Sequence, residues 1–460
     1  MNKNSPTFTE GPLFPNIVKF TIPIILTSIL QLLFNTADLI VVGRFGENGS
    51  LSVGAVGATS VITNLIINLF IGLSIGAGVS IAHAYGRRDD KALHRIVHTV
   101  IPTAIFVGLL LTVVGITIAE PMLRLVNTPE DILPHSAIYM KIYFAGMTFN
   151  MVYNFTASML RAAGDSKSPL VYLTVAGVLN VLLNLLFVIV FHMDVAGVAL
   201  ATTISQGVSA VLMLVVLMRR TDGCKLILSK MRIYKPQLTK IMGIGIPAGI
   251  QGSIFSFSTT IIQSSINSFG PEALSGSSAA ANIESDVYMC LYAFNQSAVT
   301  FIGQNQGAKK YDRVRRSLWI CLGCVTVVGI VGGALVNLFA PQLLSLFNIS
   351  PSNTAAFSHA LVRLACISLP YFLCGVMDVT TGALRGMGSS AVPMAISIIG
   401  ICALRVIWNF TVFKAYPTPT CLYLSFPVTW IVTFTCQFVA FFIVYRMHRK
   451  ADSLLSNTEA

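Results

Sequence analysis

The sequence predicts an all-α polytopic membrane protein with twelve transmembrane helices in two homologous six-helix lobes. Three observations predict it. Hydrophobic residues make up 54% of the 460-residue chain and charged residues only 10%, against roughly 25% charged in an ordinary soluble domain. Apolar runs of about 20 residues, the length that a ~30 Å hydrocarbon core requires of a helix, recur along the chain; there are twelve of them. Finally, a segment of the first half returns in the second. The first two observations exclude a soluble globular enzyme.

In order, the predicted spans are Ile17–Val42, Val53–Ala84, Ile96–Ile118, Ser136–Leu160, Leu170–Phe191, Val195–Leu217, Ile241–Phe269, Ser275–Ile302, Leu318–Phe339, Ala356–Leu384, Ala391–Val412 and Leu422–Tyr445. The first run is long, contains Pro23 and is followed by further spans, so it reads as a membrane helix and not as a cleavable signal peptide. Net charge is +12, and the placement of the cations decides what that means. If both termini are cytoplasmic, 24 of the 30 Lys and Arg fall at cytoplasmic ends, leaving Arg44, Arg124, Lys141, Arg363, Arg405 and Lys414 elsewhere. The positive-inside rule then fixes that orientation in a bacterial inner membrane, and nucleic acid is not implied.

The repeat pairs MLRAAGDSKSPL (Met159–Leu170) with ALRGMGSSAVPM (Ala383–Met394), placing Arg161 and Arg385, Gly164 and Gly388, and Pro169 and Pro393 each 224 residues apart. Pro23 and Pro247 share that offset, and AYGRRDDKALHR (Ala84–Arg95) is echoed by NQGAKKYDRVRR (Asn305–Arg316) at 221 for Gly86 and Gly307. A repeat with an even number of spans is a parallel one, with its transport site expected between lobes. The expected organisation is a tail over 1–14, a first lobe over 15–218, a polar linker over 219–240, a second lobe over 241–446 and a tail over 447–460.

An ionisable residue deep in a span costs at least about 2.5–3.5 kcal/mol, so it is a functional candidate, with a buried pair that glues helices as the alternative. Asp38 lies late in the first span with Asn35 nearby; Asn180 and Asn184 share a face of the fifth span, and Thr202 follows in the sixth. Their oxygens suit a hard monovalent cation such as Na+, and a carboxylate out of water is equally a proton carrier. Glu284 and Asp286 in the eighth span are candidates to line a substrate cavity for a cation, together with Asn154 in the fourth. Asp378 in the tenth span has Arg405 in the eleventh as an expected counter-ion. The 28 Phe and 16 Met offer a soft, cation-tolerant lining, although most should face lipid.

Catalysis finds no support. Gly72-Leu73-Ser74-Ile75-Gly76 matches a nucleophile pattern that needs a strand-to-helix turn; within an apolar helix it reads as GxxxG packing. Cys321 and Cys324 form a CxxC pair without a second pair or a histidine, which reads as two helix thiols. No cofactor beyond a coupling ion is expected.

The segments TADLIVVGRFG, LRAAGDSKSP with LRGMGSS, GQNQGAKKYDR, GVALATTISQ and LYLSFPVTWIV resemble those of multidrug and toxic compound extrusion (MATE) transporters, on the bacterial NorM/DinF-like side. The resemblance covers nearly the whole chain. It implies a V-shaped pair of six-helix bundles, alternating access, and export of organic cations driven by H+ or Na+. It maps the family's first-span carboxylate to Asp38, its NxxxN pair to Asn180 and Asn184, and its sixth-span Thr to Thr202. Some members carry an acid where this chain has Asn184, or a Glu where it has Phe255, so coupling here rests more heavily on Asp38. The expected partners are a small cationic or amphiphilic substrate and membrane lipid. A lipid-linked precursor flippase of the wider superfamily is the rival, and it would need a strongly basic cavity.

Overall fold

A computed structural model describes residues 8–46, 49–126, 128–347, 349–351 and 354–458, and among these there are helices and no strands. The helices are α1 (Leu13–Phe45), α2 (Gly49–Gly86), α3 (Asp90–Leu125), α4 (Leu133–Ala145), α5 (Met147–Ala162), α6 (Lys167–Leu185), α7 (Asp194–Arg219), α8 (Lys235–Asn267), α9 (Pro271–Gly307), α10 (Tyr311–Leu338), α11 (Ala340–Ser345), α12 (Thr354–Ile367), α13 (Tyr371–Gly386), α14 (Ala391–Ser397), α15 (Leu404–Phe410), α16 (Val412–Ala415) and α17 (Pro419–Thr458). Every predicted span has a helical counterpart, but several are interrupted. The predicted span Ser136–Leu160 is split at Gly146 between α4 and α5. The α12–α13 pair bends by 47° at a break that ends in Pro370, where the missing amide proton prevents a continuous ladder. Stretches of π-helix follow α6, over Leu186–Val190, and precede α15, over Ile398–Ala403.

Among the described residues, nine helices are long and apolar enough to cross a membrane, or ten with the bent pair counted as one span. α9 is long but less apolar, because it carries Glu284, Asp286, Asn295 and Gln296 among its 37 residues. Large apolar side chains point outward along the spans, with Phe106 66%, Val113 65%, Ile399 69% and Leu338 71% exposed. A soluble protein rarely leaves so much apolar surface uncovered; lipid is the solvent that accepts it.

The chain packs as two compact units, Ile22–Gly249 and Phe8–Thr21 with Ile250–Ala460. The division falls inside α1 and α8 and not in the polar segment 219–240. In the first unit, the 220–234 stretch lies along α3: the Ile227 amide donates to His98 Nε2 at 3.1 Å and the Tyr234 amide to Thr99 Oγ1 at 3.1 Å. Burial there pushes the Cys224 thiol up to about 12. In the second unit, the GQNQGAKKYDR segment grips Phe8 and Thr9. The Phe8 ring stacks on Phe301 at 4.1 Å, Arg313 donates to the Phe8 carbonyl at 3.0 Å, and Lys310 donates to that of Thr9 at 2.9 Å.

Small residues let helices approach in lipid, where apolar burial supplies no drive between them. In the first unit, a Cβ on Gly72 or Gly76 of α2 would strike the backbone of α8 at Gly249, Gly245 or Ile241. The GxSxG match is therefore a packing motif. The repeat also shows in the backbone. Gly164 and Gly388 sit at φ 93° and 89°, and Arg88 and Lys309 both at φ 56°, so the same left-handed turns recur in each unit.

Candidate functional site

Three helices of the first unit bring four of the predicted residues together: Asp38 from α1, Asn180 and Asn184 from α6, and Thr202 from α7. Asn180 and Asn184 are one turn apart, so both amides face the same way. Asn184 Nδ2 donates to Asp38 Oδ1 and lies 3.3 Å from Asn180 Oδ1. Asn180 Nδ2 donates to Thr202 Oγ1 at 3.3 Å, and Thr202 Oγ1 is 3.4 Å from Asp38 Oδ2 and 2.9 Å from the Val198 carbonyl. Asn180 and Asn184 are 6% and 0% exposed.

Among the described residues, no cation helps hold this carboxylate. Its partners are neutral, and Asn184 Oδ1 is buried without a hydrogen-bond partner. A half-buried carboxylate beside an unsatisfied amide oxygen is a donor set for a small hard cation, and the same carboxylate accepts a proton without losing a salt bridge. Asn35 does not join: it is exposed on α1 and makes no hydrogen bond to the four. A spacing of three on a helix brought it near in sequence, but its side chain leaves the cluster. Sequence reasoning missed Tyr139 and Tyr143 of α4, which stack at 6.0 Å and lie within electrostatic reach of Asp38. No periodicity marks them, because only the folding of α4 against α7 brings them there.

In the second unit two expectations are corrected. Glu284 is not a free acid. Arg363 of α12 closes on it with a two-pronged fork, Nε to Oε1 at 3.1 Å and Nη2 to Oε2 at 2.8 Å, and places Nη1 2.7 Å from Ser277 Oγ. Both side chains are nearly inaccessible, at 9% and 6%. This is the helix-gluing pair, formed by a cation that had been left outside the site. The expected Asp378–Arg405 pair is absent. Arg405 Nε bonds Thr429 Oγ1 at 3.2 Å, and the guanidinium lies 4.2 Å from the centre of the Phe426 ring. Asp378 is instead hydrogen-bonded by Tyr288 and lies within reach of the Arg385 charge, with Oδ2 unpartnered. The charges have opposite signs on successive spans, but the helix rotations point them at different neighbours.

The remaining predicted cavity residues separate. Asp286 is exposed on α9 and makes no ion pair or hydrogen bond among the described residues. Asn154, in the first unit, is held by Asn150, with 2.9 Å contacts to its carbonyl and to Oδ1, and Asn150 reaches Gln206 at 3.3 Å. Arg385, the repeat counterpart of Arg161, donates to Gln251 Oε1 at 2.7 Å, and Gln251 Nε2 donates to Ser397 Oγ at 2.7 Å.

The MatE family model matches residues 23–186 and 247–411, one copy in each half of the repeat. A relative named "Probable multidrug resistance protein YpnP", from Bacillus subtilis (strain 168), is 29% identical over 402 residues, covering 86% of this chain and 88% of the relative. "Probable multidrug resistance protein NorM" of Thermotoga maritima is 27% identical over 416 residues, covering 87% and 86%. Among solved structures, an outward-facing multidrug resistance MATE family transporter of the MOP superfamily superposes with a TM-score of 0.87 at 20% identity, covering 98% of this chain and 99% of that one.

Proposed function

The chain belongs to the MatE family, a multi-pass membrane transporter of the multidrug-efflux antiporter type and not an enzyme; we propose that Asp38 is where it couples export to the entry of H+ or Na+. The observation that carries this reading is the arrangement of Asp38 with Asn184 and Thr202 and without a counter-ion. A carboxylate that is already salt-bridged must break a bond to take up an ion. This one need only exchange neutral partners.

The cycle follows. With Asp38 occupied by the ion or proton, its site is neutralised and the conformer that has released substrate is favoured. With Asp38 vacant and charged, the substrate-loaded conformer is favoured. A differential of about 1–3 kcal/mol between linked sites is typical of such coupling. Asn180, Asn184 and Thr202 supply the oxygens that would surround Na+, with Asn184 Oδ1 available without loss of an existing bond. The substrate is a small cationic or amphiphilic molecule, drug or metabolite, and exposed Asp286 is its first acidic contact. The distribution of basic residues supports an orientation with both termini on the cytoplasmic side of the bacterial inner membrane.

Efflux of a fluorescent organic cation from proteoliposomes tests the proposal, under an imposed proton gradient and then an imposed sodium gradient. Uphill efflux driven by one ion and lost in Asp38→Asn, with an unchanged elution profile, is the expected result. Full driven efflux in Asp38→Asn would refute the coupling role.

A further inference from the structure

We propose that Arg405 binds an oxyanion, a carboxylate or phosphate, carried by the transported substrate, so that the preferred substrates are amphiphiles or zwitterions with an anionic group. The proposal rests on the efflux reading above and names its substrate class. Arg405 is 1% exposed and stands in the middle of its helical segment, 405 − 391 = 14 residues from Ala391 and 415 − 405 = 10 from Ala415. At 1.5 Å per residue these are roughly 21 Å and 15 Å. Headgroups at either surface are far from it.

The guanidinium is a buried donor without acceptors. Nε is taken by Thr429, but neither Nη1 nor Nη2 has a hydrogen-bond partner, and no acid pairs with Arg405 among the described residues. What lies beside it is aromatic, Phe426 at 4.2 Å and Phe255 at 5.8 Å. Phe426 meets Trp430 edge-on at 5.9 Å, and Trp430, 2% exposed, also has an Nε1 with no acceptor. The local surplus is of N–H groups. An added cation would meet none of it, whereas an anion at Arg405 would satisfy both guanidinium Nη atoms.

Arg363 in the same unit shows what this fold does with a structural arginine: it fills the fork with Glu284 and Ser277. Contact with an aromatic face recovers less than burying an ion costs. The planar fork of a guanidinium matches a carboxylate or phosphate bidentately. Arg405 also follows the π-helical turn Ile398–Ala403 directly, and such turns frequently mark functional sites.

The test is equilibrium binding to the purified full-length chain in phosphatidylcholine nanodiscs, followed by fluorescence anisotropy. The probes are rhodamine 110, which carries a free carboxylate, and rhodamine 123, its methyl ester. The wild type should bind the acid about tenfold or more tightly than the ester. Arg405→Gln should abolish that preference by weakening the acid while leaving the ester within about twofold, and Arg405→Lys should fall between, as expected for loss of a charge-assisted hydrogen bond. Equal affinities in the wild type, or no binding of either dye, overturn the proposal without any variant having to fold. Equal weakening of both dyes in Arg405→Gln also overturns it, since that is the signature of a packing role. If phosphatidylglycerol in the disc competes with the acid in the wild type and not in Arg405→Gln, the oxyanion is a lipid headgroup and the substrate assignment fails. No gradient is imposed, so failure of coupling at Asp38 would leave this result standing.

Discussion

In the first unit a lone carboxylate, Asp38, is held by amides and a hydroxyl, while in the second unit Glu284 is fully neutralised by Arg363 and Arg405 is not neutralised at all. Yet the two units share a scaffold. Their turns recur with the same backbone angles at Arg88 and Lys309 and at Gly164 and Gly388. At the 224-residue offset, Asp38 corresponds to Ile262, Asn180 to Leu404, Asn184 to Trp408 and Asn154 to Asp378. The duplication has thus kept what shapes the backbone and changed what meets ions. A lightly held carboxylate can change its occupancy, whereas a forked ion pair cannot without a large penalty, which supports the proposed coupling role for Asp38 over one for Glu284.

The largest effect should come from breaking the neutralised pair. Arg363→Ala or Glu284→Ala leaves a buried charge without a partner, at about 3–5 kcal/mol, to be read as a collapse in Tm followed by intrinsic fluorescence. Replacing both together, Glu284→Leu with Arg363→Met, should recover most of that stability, because a well-packed apolar pair of similar volume is often neutral or better. A single variant that keeps its Tm and loses transport would show that Glu284 works as the first unit's Asp38 does, and the contrast would fail.

A middle-sized effect tests the other side. Asn184→Ala removes the amide that donates to Asp38. A hydrogen bond to a charged group is worth about 1.5–3 kcal/mol and holds the ion-free carboxylate, so with H+ as the coupling ion the concentration for half-maximal driven efflux should fall about tenfold to a hundredfold, whereas with Na+ the loss of Asn184 Oδ1 as a ligand should raise it. Trp408→Phe, at the repeat-related position, should leave that concentration unchanged. If both shift it equally, the second unit takes part in ion binding.

Much of this was legible in the sequence. Hydropathy located the spans because lipid requires contiguous apolar surface, and NxxxN spacing placed Asn180 and Asn184 on one face whatever the neighbours were. What was not legible depends on the rotation of one helix about its axis relative to another. Asp378 and Arg405 looked like partners because sign and order are written in the chain; that Arg405 turns toward Phe426 and Thr429 is decided by packing. Arg363 stands in the sequence as one of six cations away from the basic ends, and only the fold brings it to Glu284, 79 residues away. Tyr139 and Tyr143 lie within electrostatic reach of Asp38 because α4 packs against α7, a packing in which Thr203 side-chain atoms occupy the space that a Cβ on Gly146 would need.

The smallest expected effect sharpens the comparison from the scaffold side. Arg88 and Lys309 hold φ 56° without being glycine, a conformation that costs an L-residue roughly 1–2 kcal/mol. Arg88→Gly and Lys309→Gly should each recover about 1 kcal/mol, since the flexible unfolded chain of the glycine variant offsets part of the relief. Lys309 also loses its 3.2 Å contact with Asp452, but its side chain is 61% exposed, and such a surface pair contributes between about 0 and 1 kcal/mol. The rise in Tm should be nearly the same for Lys309→Gly and Arg88→Gly, and driven efflux should be unchanged in both. Equal scaffolds predict this near-equality. A variant that gained stability in one unit and lost transport would mean that its turn moves during the cycle, and the two units would then differ in mechanics as well as in buried charge.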